Sequence, residues 1–283
     1  MSVSVITTVF NAESSIRATV ESILAQDHQD FEYVIVDDGS TDGTLDVLAD
    51  IGDDRIRVIQ LKDRLGRARA LNVAVTESSN PLLVNIDADD AAFPTRISVQ
   101  AEMMKADPEL GLVGGSYLTL DEAGVAWVVR PPTAHDEITA CFATHFPMCH
   151  SAVTYRREAL TEAGGFNPIH RSRIDFDAWV RILAGRWRVA QTDEIVAVHT
   201  KYPTSHFARE FSTGRSSVEL LHRNLTACRE LELGRSSYAK AMARFAYSLT
   251  RTPKLGRRPL YGSPPDEATL TAALDIIQRT GDD

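Results

Sequence analysis

Between Val3 and Ile86 short apolar runs alternate with stretches of helical spacing, and that alternation limits the fold more than any other feature. Residues 3–9 form a β-branched run that reads as a strand. Residues 14–25 place Ile16, Val20, Ile23 and Leu24 at helical intervals. A second apolar run covers 31–36, a short helix with Leu45 and Leu48 covers 41–49, and an alternating strand covers 55–61. A helix over 67–75 and a fourth apolar run over 82–86 complete the series. Strands and helices of this length in strict alternation predict βαβ units and an α/β fold. Its sheet would be mostly parallel and flanked by helices.

Ligands of open α/β sheets bind beyond the carboxyl ends of the strands. Two acidic clusters fall there. Asp37-Asp38 follows Val34-Ile35-Val36, and Asp87-Ala88-Asp89-Asp90 follows Asn85-Ile86. Carboxylates packed this closely need a cation. Hard divalent ions such as Mg²⁺ or Mn²⁺ take one or two carboxylates and leave positions for water and phosphate oxygens. The plain alternative is an acidic turn with Asp as cap or Asx-turn residue. The position after a buried strand, beside a second cluster, favours the metal.

Asp38-Gly39-Ser40-Thr41-Asp42-Gly43 imitates the start of an EF-hand loop, but Ala49 stands where the bidentate Glu is required. Asp38 reads better as an acceptor for a nucleotide base or ribose, with Ser40 or Thr41 capping the next helix. The turn after the first strand, Thr7-Thr8-Val9-Phe10-Asn11, contains no glycine, and no P-loop occurs. A dinucleotide fingerprint is therefore missing, and any nucleotide is held differently.

Further along, a helix follows Phe93-Pro94 to about Lys105, and strands are expected over 111–120 and 124–129. A helix over 133–142, a short strand over 152–155, a helix over 175–184 and a late strand over 195–198 follow. Beyond about Phe207 the pattern becomes helical only (211–231, 238–249 and 267–278), with a proline-rich loop between the last two. The chain is thus divided into a domain of residues 1–205 and a helical extension of residues 206–283.

The net charge of −9 disfavours a nucleic-acid partner. From Lys201 onward, however, 13 basic residues face 9 acidic ones, a surplus of +4. That surplus suits a solvated helical face, or contact with a membrane surface or another anionic partner. No apolar run reaches the roughly 18 residues of a membrane span, and residues 1–6 lack the basic start of a secretory signal. Cys141, Cys149 and Cys228 are an odd, sparse set that suits a reducing compartment. The Cys141, His145, Cys149 spacing is not a standard zinc pattern. Asp175 and Asp177 open a helix, where carboxylates favour the dipole; a general base there is the functional alternative. His150 and His199 read on their own as structural histidines.

Taken in order, three segments resemble the successive signatures of family 2 glycosyltransferases with the GT-A fold. They are residues 3–11 (VSVITTVFN), 34–42 (VIVDDGSTD) and 86–90 (IDADD). Asp90-Ala-Ala-Phe-Pro-Thr-Arg-Ile97, Leu112-Val-Gly-Gly-Ser116, Cys149-His-Ser-Ala-Val-Thr-Tyr-Arg-Arg157, Ala163-Gly-Gly-Phe166 and Asp175-Phe-Asp-Ala-Trp-Val-Arg181 extend it. They are similar to bacterial members that build capsule, lipopolysaccharide and related glycans. The resemblance covers about residues 2–206.

It implies an inverting, Mn²⁺- or Mg²⁺-dependent transferase using a nucleotide-sugar donor, usually UDP-linked. The acceptor would be a carbohydrate, a lipid-linked sugar or a small metabolite. By position, Thr8 and Asp38 would contact base or ribose, and Arg67 or Arg69 base or phosphates. Asp87 would hold ribose or donor sugar, Asp89 the metal, and Asp175 would be the catalytic base. His199 falls where such enzymes place a late metal or phosphate contact, and Asp90 is left to cap the turn. The family's usual Glu before the base is here Ile174. The enzyme is expected in the cytoplasm, at the inner face of the membrane if the acceptor is lipid-linked, with the C-terminal helices available for membrane contact or a homodimer. A nucleotidyltransferase of related fold would show a Gly-rich loop with a basic residue after the first strand, which is absent. A non-catalytic nucleotide-sugar-binding protein would not need Asp175.

Overall fold

The computed structural model describes residues 1–121, 123–170, 173–201, 215–249 and 259–278. The start of the predicted helix at 211 and most of the proline-rich loop lie outside them. The first half is the parallel sheet that the alternation predicts. Strands β1 (Val3–Val9), β2 (Phe31–Asp37), β3 (Ile56–Gln60) and β4 (Leu82–Asn85) pair in the order β3-β2-β1-β4. Helices α1 (Ile16–Leu24), α2 (Thr44–Ile51) and α3 (Arg67–Glu77) make the crossovers.

The apolar runs are continuous because both faces of this sheet are covered. Successive side chains of a strand point to opposite faces. Ile6, Val34 and Leu83 accordingly join Leu71 and Ala74 of α3 in one core, whereas Val5, Ile35 and Val84 join Ile16, Val20 and Ile23 of α1 in another.

The second half makes the sheet mixed. After β5 (Ala91–Ala92) and α4 (Arg96–Ala106) comes β6 (Leu110–Asp121), paired with the antiparallel β7 (Ala126–Val129). Helix α5 (His135–Cys141) and a 3₁₀ turn at His150–Ala152 lead into β8 (Thr154–Arg156), which joins β4 and β6, antiparallel to both. Helices α6 (Arg157–Glu162) and α7 (Ile174–Leu183) then lead to β9 (Arg188–Lys201), which runs parallel to β6 and pairs with β5. The sequence pattern showed only the last part of β9. Its register with β6 shifts between Thr192 and Ile195, so the polar residues Asp193 and Glu194 break the apolar periodicity of a single long strand.

Helix α2 starts at Thr44, later than expected, and neither Ser40 nor Thr41 caps it. The Asp42 carboxylate accepts from the Thr44 N–H at 3.1 Å, while Ser40 Oγ accepts from the Asn11 N–H at 2.9 Å. The C-terminal region contains α8 (Arg215–Glu230), α9 (Arg235–Leu249) and α10 (Glu267–Gln278). It is not helical only: β10 (Gly262–Ser263) adds to the edge of β7. Helix α10 returns across α1 and β5, and Ala273 and Ile276 share a core with Ala91, Leu118 and Val198.

Candidate active site

The acidic turn after β4 lies where the parallel and antiparallel parts of the sheet meet. Its backbone is tied by three hydroxyls to two other segments, β1 and the start of α1. Thr7 Oγ1 donates to the Ile86 carbonyl at 2.8 Å, Ser15 Oγ to the Ala88 carbonyl at 2.9 Å, and Thr19 Oγ1 to the Asp90 carbonyl at 2.7 Å. Beneath it Arg96, fully buried, donates to the Asn85 carbonyl at 2.6 Å. Burial lowers the Arg96 guanidinium to about 10, so it stays charged at neutral pH and offsets part of the negative cluster.

The three carboxylates have different surroundings. Asp87 Oδ1 lies 2.5 Å from Arg67 Nη2 and 3.6 Å from His150 Nδ1. Burial would raise its carboxyl, but the Arg67 guanidinium outweighs this and holds it well below the usual carboxylate range. Asp90 is 3% exposed and does more than cap the turn. It accepts from Ser151 Oγ, from the Thr200 N–H at 2.8 Å, and lies 3.1 Å from His199 Nδ1. Asp89 is half-buried and has no hydrogen-bond partner among the described residues. Burial, then the Asp90 and Asp87 carboxylates, push Asp89 up to about 7.

His199 stands on β9 with its ring 38% exposed. Burial lowers its imidazole, but Asp90 outweighs this and the net direction is up. A carboxylate on Nδ1 fixes the proton there and leaves the Nε2 lone pair for another partner, as carboxylate–histidine pairs do beside metals. Asp89 and His199 are oxygen and nitrogen donors near enough for the His199 charge to act on Asp89, and the two could hold a hard divalent ion. Among the described residues no three His, Cys, Asp or Glu side chains converge on a metal-sized space. The remaining ligands would have to be phosphate oxygens and water, which is how Mg²⁺ and Mn²⁺ are held with nucleotides.

Arg67 is the first residue of α3. Gly66 precedes it at φ +88°, a conformation that side chains rarely adopt. Asp38 fixes this entry by accepting from the Leu65 and Gly66 N–H groups at 2.7 and 2.9 Å. Its carboxylate therefore has a local task in addition to the expected ribose or base contact. Thr8 lies half-buried beside it, in register with Val36. Arg69, two residues on, points to another side of the helix. With Asn72, Val73, Thr76 and Glu77 it lines a shallow groove of about 270 Å³. Of the two expected arginines, Arg67 joins the acidic cluster and Arg69 does not.

Asp175 and Asp177 both open α7, but they differ. Asp177 is taken up by Arg181 at 2.7 Å and His170 at 3.2 Å. Asp175 is half-buried and has no hydrogen bond or ion pair among the described residues. It lies close enough to Arg67 to act on its charge. Against desolvation, which lowers it, Asp87, Asp175 and Asp89 raise the Arg67 guanidinium. Ile174 is buried in the core beside Phe176 and Trp179, so this position contributes packing and no polar group to the cleft. Arg173, just before, is held at φ +53°, a rare conformation for a large residue and a common sign of a functional segment.

His150, which reads from the sequence as a structural histidine, contacts the acidic cluster, and so does Ser151, which the sequence pattern does not single out. Both lie on the 3₁₀ turn beneath the acidic cluster. Ser151 Oγ accepts from the Asp87 N–H at 3.1 Å and donates to Asp90. The one available signal was the motif Cys149-His-Ser-Ala, which carried no role for either residue.

A helix-flanked, curled mixed sheet with strand-end carboxylates facing Arg67 and Asp175 defines a GT-A-type transferase fold. Solved structures agree. S. aureus TarS residues 1–349 with UDP-GlcNAc superimposes with a TM-score of 0.66 at 20% identity, covering 98% of this chain and 81% of that one. The Pyrobaculum calidifontis mannosyltransferase PcManGT with GDP-Man and Mn²⁺ gives 0.62 at 21% identity, covering 90% and 76%. The model of glycosyl transferase family 2 matches residues 4–164, and the chain belongs to that family and is a glycosyltransferase. EpsE of Bacillus subtilis, assigned as a glycosyltransferase, is 29% identical over 241 residues, covering 83% of this chain and 85% of EpsE. WfaP of Escherichia coli is 26% identical over 209 residues, covering 74% and 81%. That protein is a UDP-Glc:α-D-GlcNAc-diphosphoundecaprenol β-1,3-glucosyltransferase.

Proposed function

We propose that the chain is a metal-dependent, inverting glycosyltransferase that moves a sugar from a UDP-linked donor to a hydroxyl of a glycan or lipid-linked acceptor. One observation carries the reading. A partnerless Asp89, an Arg67–Asp87 pair and a partnerless Asp175 share one end of the sheet. Half-buried carboxylates left without partners at a strand-end cleft support a bound cation at Asp89 and a proton-accepting role for Asp175.

Asp89 and His199 would hold Mn²⁺ or Mg²⁺, which supplies positive charge for the donor diphosphate. Asp87 orients Arg67 and would meet the ribose or donor sugar, and Thr8 and Asp38 would contact the base or ribose. Asp175 removes the proton from the acceptor hydroxyl as its oxygen bonds to the anomeric carbon. The bond from that carbon to the diphosphate oxygen breaks on the opposite face, so the configuration inverts. Arg67 offsets charge on the departing diphosphate.

A nucleotide-sugar donor is supported by TarS with UDP-GlcNAc, PcManGT with GDP-Man and WfaP with UDP-Glc, and a UDP-linked one by the first and last of these. A lipid-linked acceptor is supported by WfaP and by this chain's segment 235–265, which contains seven basic and no acidic residues. Among the described residues no helix is long and apolar enough to cross a membrane.

The test is a panel of nucleotide sugars incubated with Mn²⁺ and acceptors, read by mass spectrometry for donor turnover. Asp175→Asn should lower turnover by about 10²–10⁴-fold and leave UDP binding near wild type. Loss of UDP binding in that variant would remove Asp175 from the role of base. Binding without turnover of any donor would leave a nucleotide-sugar-binding module.

A further inference from the structure

We propose that His150 is a positioning residue that holds Arg67 in place for the donor diphosphate. The proposal rests on the donor-site reading above.

His150 is 6% exposed. Its Nδ1 lies 2.8 Å from Arg67 Nη2 and 3.6 Å from Asp87 Oδ1. A guanidinium donates hydrogen bonds and never accepts them. The imidazole must therefore offer a lone pair at Nδ1 and carry its proton at Nε2. That Nε2 is buried and has no hydrogen-bond partner among the described residues. Around the ring stand Tyr155, Phe166 and Trp179, with centroids 5.9–6.3 Å away and planes steeply inclined.

As a packing residue this histidine is a poor choice. An apolar side chain would fill the aromatic shell without burying an unsatisfied nitrogen. A local rule broken in this way points to a function elsewhere, and the polar side chains beside the ring are Arg67 and Asp87. The geometry of the arginine completes the argument. Its Nη2 supplies one hydrogen to Asp87 and one to His150. Among the described residues Nη1 and Nε have no partner, and the side chain is 47% exposed. Asp87 and His150 together thus clamp one terminal nitrogen of a long side chain and leave two nitrogens presented to an anion. The aromatic shell fixes the ring, and Asn72 fixes one wall of that shell through paired bonds with Phe166 at 2.7 and 2.9 Å.

The test is a double-mutant cycle on Mn²⁺-dependent binding of UDP, or of GDP if the donor panel selects it, with thermal midpoints measured in parallel. His150→Leu keeps the bulk and removes the acceptor; His150→Gln keeps an acceptor. We expect His150→Leu to weaken binding by about tenfold with an unchanged or raised midpoint. His150→Gln should bind within about threefold of wild type although its midpoint falls. A residue that merely packs would give the opposite ranking. With Arg67→Ala in place, His150→Leu should have no further effect on binding. Equal binding by wild type and His150→Leu, or an effect that persists in Arg67→Ala, would overturn the proposal alone. A wild type that neither binds nor turns over a nucleotide sugar would overturn the site reading, and the proposal with it.

Discussion

At the residue scale, three adjacent carboxylates of one turn are separated by what they touch. Asp87 is neutralised by Arg67, Asp90 is buried behind His199, and Asp89 is left with neither. Burial and the neighbouring Asp90 and Asp87 raise Asp89 to about 7, so a divalent ion must displace a proton from it in acid. Apparent Mn²⁺ affinity should fall by at least about tenfold for each pH unit below about 7, because His199, whose imidazole is also raised, competes for a second proton. The sign for folding is the reverse of the usual carboxylate case. The folded value lies above the unfolded one, so the metal-free protein loses stability as the pH rises through 7, and Mn²⁺ should raise the melting midpoint more at pH 8 than at pH 6. Calorimetric titrations across that range check both statements, and an affinity flat with pH would contradict the raised Asp89. Much of this site was legible as a motif: the order of signatures pointed to Asp89 and Asp175. His150, Ser151 and the roles of Asp90 were not legible, because their partners lie 61 to 110 residues away in sequence. The choice between Arg67 and Arg69 needed the phase of α3, which a residue list does not supply.

At the element scale, the continuous apolar runs of β1, β2 and β4 were readable because both sheet faces are covered and each residue type agrees with its place. β9 was largely hidden by the shift at Thr192–Ile195, and β5 and β10 are too short to leave a period. The β6–β9 pair also depends on residues without side chains. A Cβ on Gly111 would lie 2.7 Å from Trp187 Cβ and 2.9 Å from Ala159 Cβ. Both obstacles are stem carbons, so neither can swing away. Gly111→Ala should destabilise the protein by about 1–3 kcal/mol, measured by urea denaturation. An unchanged midpoint would show that the strand can shift without loss. Since β9 carries His199, the same variant should also weaken metal binding.

For the whole molecule, the division at residue 205 marks a change of pattern more clearly than a change of body. Helix α10 packs back on α1, and β10 extends the sheet, contacts that local periodicity cannot announce. Charge is the feature that does separate the two parts: residues 1–200 total −13, and the remainder +4. Exposed Tyr238 and Met242 lie on α9 among Arg235, Lys240 and Arg244, and exposed Leu260 and Tyr261 follow. Arg235 shares a side of α9 with Tyr238 and Met242, while Lys240 and Arg244 fall on the opposite side, so it is the segment's overall positive charge with scattered apolar side chains that would suit an anionic lipid surface. Co-sedimentation should show binding to phosphatidylglycerol vesicles, little to phosphatidylcholine, and release at high salt; equal binding to both lipids would discount the charge. The central claim is that the acidic end of the sheet takes a sugar-nucleotide diphosphate through a divalent ion. Its most direct measurement is calorimetric titration of UDP, and of GDP in parallel, into the wild type with Mn²⁺, the wild type with EDTA, and Asp89→Asn with Mn²⁺. The account predicts saturable binding of one nucleotide in the first case and binding at least about tenfold weaker in the other two. Equal affinity in all three would contradict it.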